Sequence, residues 1–133
     1  METAWSEADA PVRRRYMLLM CGEETAPENA PHPVPDGDDA EPCWMPWARE
    51  MQARGVLLVE GSQLQPTSTA TTVRSSGDEV LVADGPFAET KEQILGYDVI
   101  ECADLDEAIY AASRHPVALA GGVVEVRPVL ASV

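Results

Sequence analysis

Basic side chains are scarce in this sequence. Nine Lys and Arg stand against 23 Asp and Glu, for a net charge of −14. Binding to phosphate backbones needs clustered cations, so nucleic acid and anionic membrane surfaces are not expected partners. The one basic cluster, Arg13-Arg14-Arg15, precedes the first predicted strand. It reads as a solvated edge, or less readily as a docking patch for an acidic partner. Long apolar runs are missing too, which excludes a helical membrane span. The start, Met1-Glu2-Thr3-Ala4-Trp5-Ser6-Glu7, is acidic and lacks the apolar centre of a secretory signal, so a cytoplasmic location is expected. Cysteine is sparse: Cys21, Cys43 and Cys102 are odd in number and have no metal-type spacing, which leaves idle thiols rather than a disulfide framework or a zinc site. There is no nucleotide-binding loop, nucleophile elbow or Ser-His-Asp pattern either. No metal and no cofactor is expected.

What is present suits one mixed α+β domain, since 133 residues support a modest core. Residues 1–15 read as an N-terminal arm and 16–133 as the domain. Tyr16 to Met20 is a continuous apolar run, the pattern of a strand buried on both faces. Residues 23–41 form a Pro- and acid-rich insertion. Pro27, Pro31, Pro33 and Pro35 prevent regular helix, and the segment is either a flexible excursion or a lid. Trp44, Trp47, Ala48 and Met51 recur at helical spacing, with Pro46 in the first turn and Gly55 as the stop. The helix therefore spans Trp44 to Arg54 or begins near Met45. Val56 to Glu60 reads as a strand, with Gly61-Ser62-Gln63 turning away from it. Thr71 to Arg74 and Glu79 to Val82 flank a hairpin loop at Ser75 to Asp78. Tyr97 to Cys102 is a further strand. Asp104 with Glu107 makes a capping box for a second helix whose buried face is Leu105, Ala108, Ile109 and Ala112. His115-Pro116 ends that helix, and His115 beside its negative end reads as structural. Val123 to Val129 is the last strand. The helices can cover one face of the sheet only, so a second copy of the chain, as a two-fold homodimer, is the expected cover for the other.

One stretch organises the chain. Asp84-Gly85-Pro86-Phe87-Ala88-Glu89-Thr90-Lys91-Glu92-Gln93 links two strands through a sharp Asp-Gly-Pro turn and crowds charge into a short connection. Phe87, the single Phe, is expected to be pinned against the core, and Thr90 with Gln93 to cap a helical turn over 91–95. This run resembles the signature of the DGPF branch of the YCII-related family. Tyr16-Met17-Leu18-Leu19-Met20, Gly55-Val56-Leu57, Gly61-Ser62-Gln63-Leu64-Gln65-Pro66 and Val124-Glu125-Val126-Arg127-Pro128 agree with it. The resemblance implies a ferredoxin-like βαββαβ fold with an inserted β-hairpin, pairing into a dimeric α+β barrel. Dimeric α+β barrels often house a pocket for a small organic molecule, and by analogy one is expected here. Members of the wider family are proposed to use a His-Asp pair with the His on the first helix. The corresponding position here is Trp44, which argues against a hydrolytic or dehydrohalogenating mechanism of that kind. His32 would substitute only if the long insertion folds over the pocket.

The remaining site candidates are carboxylates and their neighbours. Asp84 and Asp98 are the candidate acid/base residues, and Trp44, Trp47, Glu60, Phe87, Lys91 and Tyr97 the candidate ligand contacts. Asp84 reads equally as a turn former. Asp98 in an otherwise apolar strand must be hydrated or bonded. It acts as an acid/base group if it faces the barrel interior and is ordinary if it lies at the strand's wet end. The expected function is proton-transfer chemistry without a cofactor, of lyase, isomerase or cyclase type. The alternatives are a non-catalytic regulatory module, since DGPF-type proteins are often encoded near extracytoplasmic-function sigma factors, and a purely structural dimer.

Overall fold

A computed structural model describes residues 13–24, 44–88 and 92–130. The arm up to residue 12, the 23–41 insertion beyond Glu24, which includes His32, and Lys91 lie outside the described residues. The elements run β1 (Arg14–Gly22), α1 (Met45–Ala53), β2 (Leu57–Gln63), β3 (Thr71–Ser76), β4 (Glu79–Asp84), β5 (Gln93–Cys102), α2 (Leu105–Ser113), α3 (Pro116–Leu119) and β6 (Val123–Pro128). The main sheet has the order β2-β5-β1-β6, with antiparallel pairing throughout. Removing β3 and β4, which pair only with each other, leaves the ferredoxin-like order. The expected βαββαβ core with an inserted hairpin is therefore the fold.

Alternation along β1 divides the sheet into two faces. Tyr16, Leu18 and Met20 are buried, whereas Met17 and Leu19 are half-exposed, so β1 is not buried on both sides as its apolar run suggests. Tyr16 stands beside Ile100 and Leu18 beside Asp98 across the β1–β5 ladder. This face packs with Ile100 and Cys102 against Trp47 and Met51 of α1 and Ala108, Ala111 and Ala112 of α2. The opposite face carries Tyr97, Val99 and Glu101 of β5 beside Leu19, Met17 and Arg15 of β1. Arg15 pairs there with Glu101, and Arg13 also reaches Glu101 and donates to the Gly55 carbonyl oxygen, so the basic cluster is pinned at its ends.

Helix termini follow their local chemistry. Pro46 sits in the first turn of α1, which starts at Met45. Gly55, at φ 86°, closes α1 as its N–H bonds to Gln52 and the Val56 N–H to Met51. Asp104 accepts from the Glu107 N–H at 2.9 Å, while Glu107 accepts from the Ala103 N–H at 3.0 Å, a reciprocal cap one residue longer than the expected box. The buried side of α2 is Ala108, Ala111 and Ala112; Leu105 and Ile109, expected inside, are exposed. Small alanines let the helix sit close to the sheet, and this rotates the larger side chains outward.

Four more expectations change. β2 continues through Gly61-Ser62-Gln63, because these residues pair with Asp98, Tyr97 and Gly96 instead of turning away. No helical turn opens at Gln93: Gln93, Ile94 and Leu95 already belong to β5. The hairpin strands run on to leave only Gly77-Asp78 between them, with Gly77 at φ 60°. Phe87 is 75% exposed, not pinned to the core, with the Arg74 guanidinium 5.1 Å from its ring centre.

Candidate functional site

The site begins with a carboxylate in the wrong kind of strand. Asp98 lies mid-way along β5 on the helix-covered face, between Leu18 of β1 and Gly61 of β2. This is neither the open face nor a wet strand end, the two positions weighed from sequence. A carboxylate there needs a partner. It is His115, whose Nε2 lies 3.0 Å from Asp98 Oδ2. The two side chains keep 7% and 13% of their surface exposed, respectively.

His115 does not end α2. Arg114 is the C-cap of that helix, and His115 starts the next one, α3. Its Nδ1 accepts from the Val117 N–H at 3.1 Å. That bond settles the tautomer: a nitrogen that accepts a hydrogen bond cannot also carry a proton, so the proton sits on Nε2 and is donated to Asp98. The imidazole is neutral, and the carboxylate holds the negative charge of the pair. Trp47 meets the ring edge-on, with centroids 4.8 Å apart. Its indole N–H is tied to the Ala111 carbonyl oxygen at 2.9 Å.

Glycine makes room for this arrangement. Gly61 stands opposite Asp98, and a Cβ at that position would fall onto Asp98 Oδ1. Its φ is not among the positive values, so space rather than backbone freedom is what the glycine supplies. Oδ1 has no hydrogen-bond partner among the described residues, while Oδ2 holds His115. The pair thus presents an oriented carboxylate with one oxygen uncommitted. A carboxylate oriented by a hydrogen bond in this way can act as a general base.

The other sequence-derived candidates are dispersed. Trp47 joins Asp98 and His115; Trp44, at the N-terminus of α1, is 43% exposed. Glu60 and Tyr97 lie on the opposite face of the sheet, Glu60 beside Val99 and Tyr97 beside Ser62. Asp84 is the exposed last residue of β4, and Phe87 follows it on the hairpin side. The strand pairings do not bring Asp84 to Asp98. Lys91 lies outside the described residues, as does the proposed lid. Among the described residues, no three His, Cys, Asp or Glu side chains are placed to hold a metal ion.

A cavity of about 500 Å³ opens elsewhere, between the end of α1 and the start of α2, lined by Arg54, Val56, Asp104, Asp106, Glu107 and Tyr110. Asp104 and Glu107 are committed to the α2 cap, and the Arg54 guanidinium lies 4.4 Å from the Tyr110 ring centre. Of the lining carboxylates only Asp106 lacks a hydrogen bond among the described residues, and it is an exposed helix residue, so the more buried Asp98–His115 pair is the stronger candidate.

The described thiols are inert by environment. Burial raises Cys102 above the usual thiol value, with the nearby Glu107 adding to it. Cys21 is raised by burial, then by Glu125 and Glu92. Reactivity needs the thiolate, so a raised value delays it to higher pH. Native protein at pH 8 is expected to alkylate Cys21 and Cys102 at least tenfold more slowly than denatured protein, as read by mass spectrometry. Equal rates would contradict these environments.

His115 was legible only indirectly. The sequence has two histidines, and an internal Asp in an apolar strand calls for a donor. Nothing local, however, says that residue 115 meets residue 98.

Comparison with known proteins matches the YCII-related domain to residues 15–132. The chain is also 50% identical over 68 residues to an uncharacterised protein of Rhizobium meliloti (strain 1021), a match covering 50% of this chain and 55% of that protein. The chain thus spans about half the length of this curated relative.

Proposed function

Because the chain belongs to the YCII-related family, we propose that it binds a small organic molecule and moves a proton on it, with Asp98 as the base and His115 as its positioning residue. The observation that carries this reading is the uncommitted Asp98 Oδ1 beside an Oδ2 locked to a neutral histidine. Proton abstraction by a positioned carboxylate needs no cofactor and serves lyase, isomerase and cyclase chemistry alike. Within the family we place the chain in the DGPF branch, on the run Asp84 to Gln93. The histidine of this pair comes from the α2–α3 junction and not from the first helix, so it occupies a different place from the pair proposed for the wider family.

The test starts with a thermal-shift screen of small amines, ketones and phenols, with organic acids alongside, to find a ligand. Deuterium exchange from solvent into that ligand is then followed by NMR. Asp98→Asn is expected to slow exchange by about 100-fold or more while leaving circular dichroism unchanged. Asp84→Asn is the comparison. Loss in Asp84→Asn with retention in Asp98→Asn would move the base to the hairpin.

The working unit we propose is a two-fold homodimer. Leu57, Ile94 and Val123 are each 48–49% exposed, and Leu57 and Val123 lie on the sheet face without helices. On the hairpin, Val73, Val80, Leu81 and Val82 are exposed as well. A two-stranded hairpin with no covered face is marginal alone. Light scattering is expected to give twice the subunit mass, and Leu57→Asp to shift the population toward single subunits. A monodisperse single subunit at high micromolar concentration would refute the dimer.

A further inference from the structure

We infer that the Asp98 site takes a ligand group that donates hydrogen bonds, a protonated amine or similar small organic cation, and refuses carboxylates and phosphates. This rests on the reading that Asp98 meets the ligand, and it follows from counting donors and acceptors.

His115 Nδ1 is occupied by the Val117 N–H, and the Nε2 proton by Asp98 Oδ2. The Trp47 indole N–H is occupied by the Ala111 carbonyl oxygen. These donors are therefore committed within the fold. What remains is Oδ1, an acceptor with no partner among the described residues. Leu18 and Gly61 flank Asp98 in the sheet, and Trp47 packs on the histidine.

Charge points the same way. With a neutral imidazole the pair carries one negative charge, whereas an ion pair would carry none. A carboxylate held in poorly hydrated surroundings gains strongly from a nearby cation and is penalised by a nearby anion. An incoming carboxylate or phosphate would meet like charge with no donor to satisfy its oxygens. The whole-chain net charge of −14 reinforces the bias by drawing cations and repelling anions at longer range.

The probes are benzylammonium, benzyl alcohol and benzoate, which share a ring and differ in the terminal group. Each is titrated into the ¹⁵N-labelled full chain at matched ionic strength, following the amides of Gly61 and Asp98. Benzylammonium is expected to shift both amides and to bind about tenfold more tightly than benzyl alcohol. Benzoate is expected to leave them unmoved, and Asp98→Asn to abolish the preference for the amine. Benzoate acting at equal or lower concentration, an unchanged preference in Asp98→Asn, or no response to any probe up to its solubility limit would each overturn the inference. If Asp98→Asn does not fold, the ranking of the three probes on the unsubstituted chain decides alone. Amine binding without proton exchange would sink the catalytic reading and keep this one. Exchange in an anionic ligand would do the reverse.

Discussion

His115→Ala is expected to lower stability by about 3 kcal/mol and the melting temperature by roughly 10 °C, a large change for a domain of this size. The substitution does three things at once. It leaves Asp98 Oδ2 without its donor on the helix-covered face. It also removes the acceptor that caps α3 at Val117 and empties the space against Trp47. Stranding a buried charged acceptor is the largest of the three, since a hydrogen bond to a charged group is worth about 1.5–3 kcal/mol. The cap is worth about 1 kcal/mol. His115→Asn keeps a capping acceptor but is too short to reach Asp98, so it is expected to recover only the smaller share. Urea unfolding of both variants measures this. A loss below about 1 kcal/mol in His115→Ala would mean that the pair is incidental to the fold and that the carboxylate finds water instead.

Gly61→Ala is the second large effect, because the added methyl group falls where Asp98 Oδ1 sits. The neighbouring atom is the end of a side chain, so the carboxylate must swing away, and doing so breaks its bond to His115. Overpacking of this kind destabilises by about 1–3 kcal/mol. The diagnostic is coupling. In Asp98→Ala the main obstruction is gone and only the Tyr97 carbonyl oxygen, 3.0 Å from the added carbon, still crowds it, so adding Gly61→Ala is expected to cost well under half of what it costs alone. A double-mutant cycle by chemical denaturation reads the difference. Additive effects would show that Gly61 and Asp98 do not constrain each other.

The fold was legible because its signals are local. Pro46 and Gly55 bracket α1, and Asp104 with Glu107 starts α2; which side of β1 is covered was not legible, because its unbroken apolar run hides the alternation. The site was legible only in its odd residue. Asp98 stands out in an apolar strand, but its partner lies seventeen positions away in sequence, across a helix. His115 looked like a helix end because His-Pro commonly is one; the chain instead restarts a short helix there and turns the ring inward. Gly61 was read as a turn because glycine usually breaks strands. Only the register with β5 shows that it clears space for a carboxyl group. Leu105 and Ile109 misled for a related reason: hydrophobic size suggested the inner side, whereas close helix–sheet approach selected the alanines.

The β2–β5 ladder passes from Leu58–Ile100 directly to Glu60–Val99, so Val59 has no counterpart across the strand. It is a spare link. A descendant of this gene that lost that codon would close the ladder into regular pairing and still set Gly61 against Asp98. Loss of Gly61 gives no such reprieve, since it would bring Ser62 opposite Asp98 and put its side chain onto the carboxyl group. Length variation among relatives should therefore be tolerated at Val59 or Glu60 and purged at Gly61.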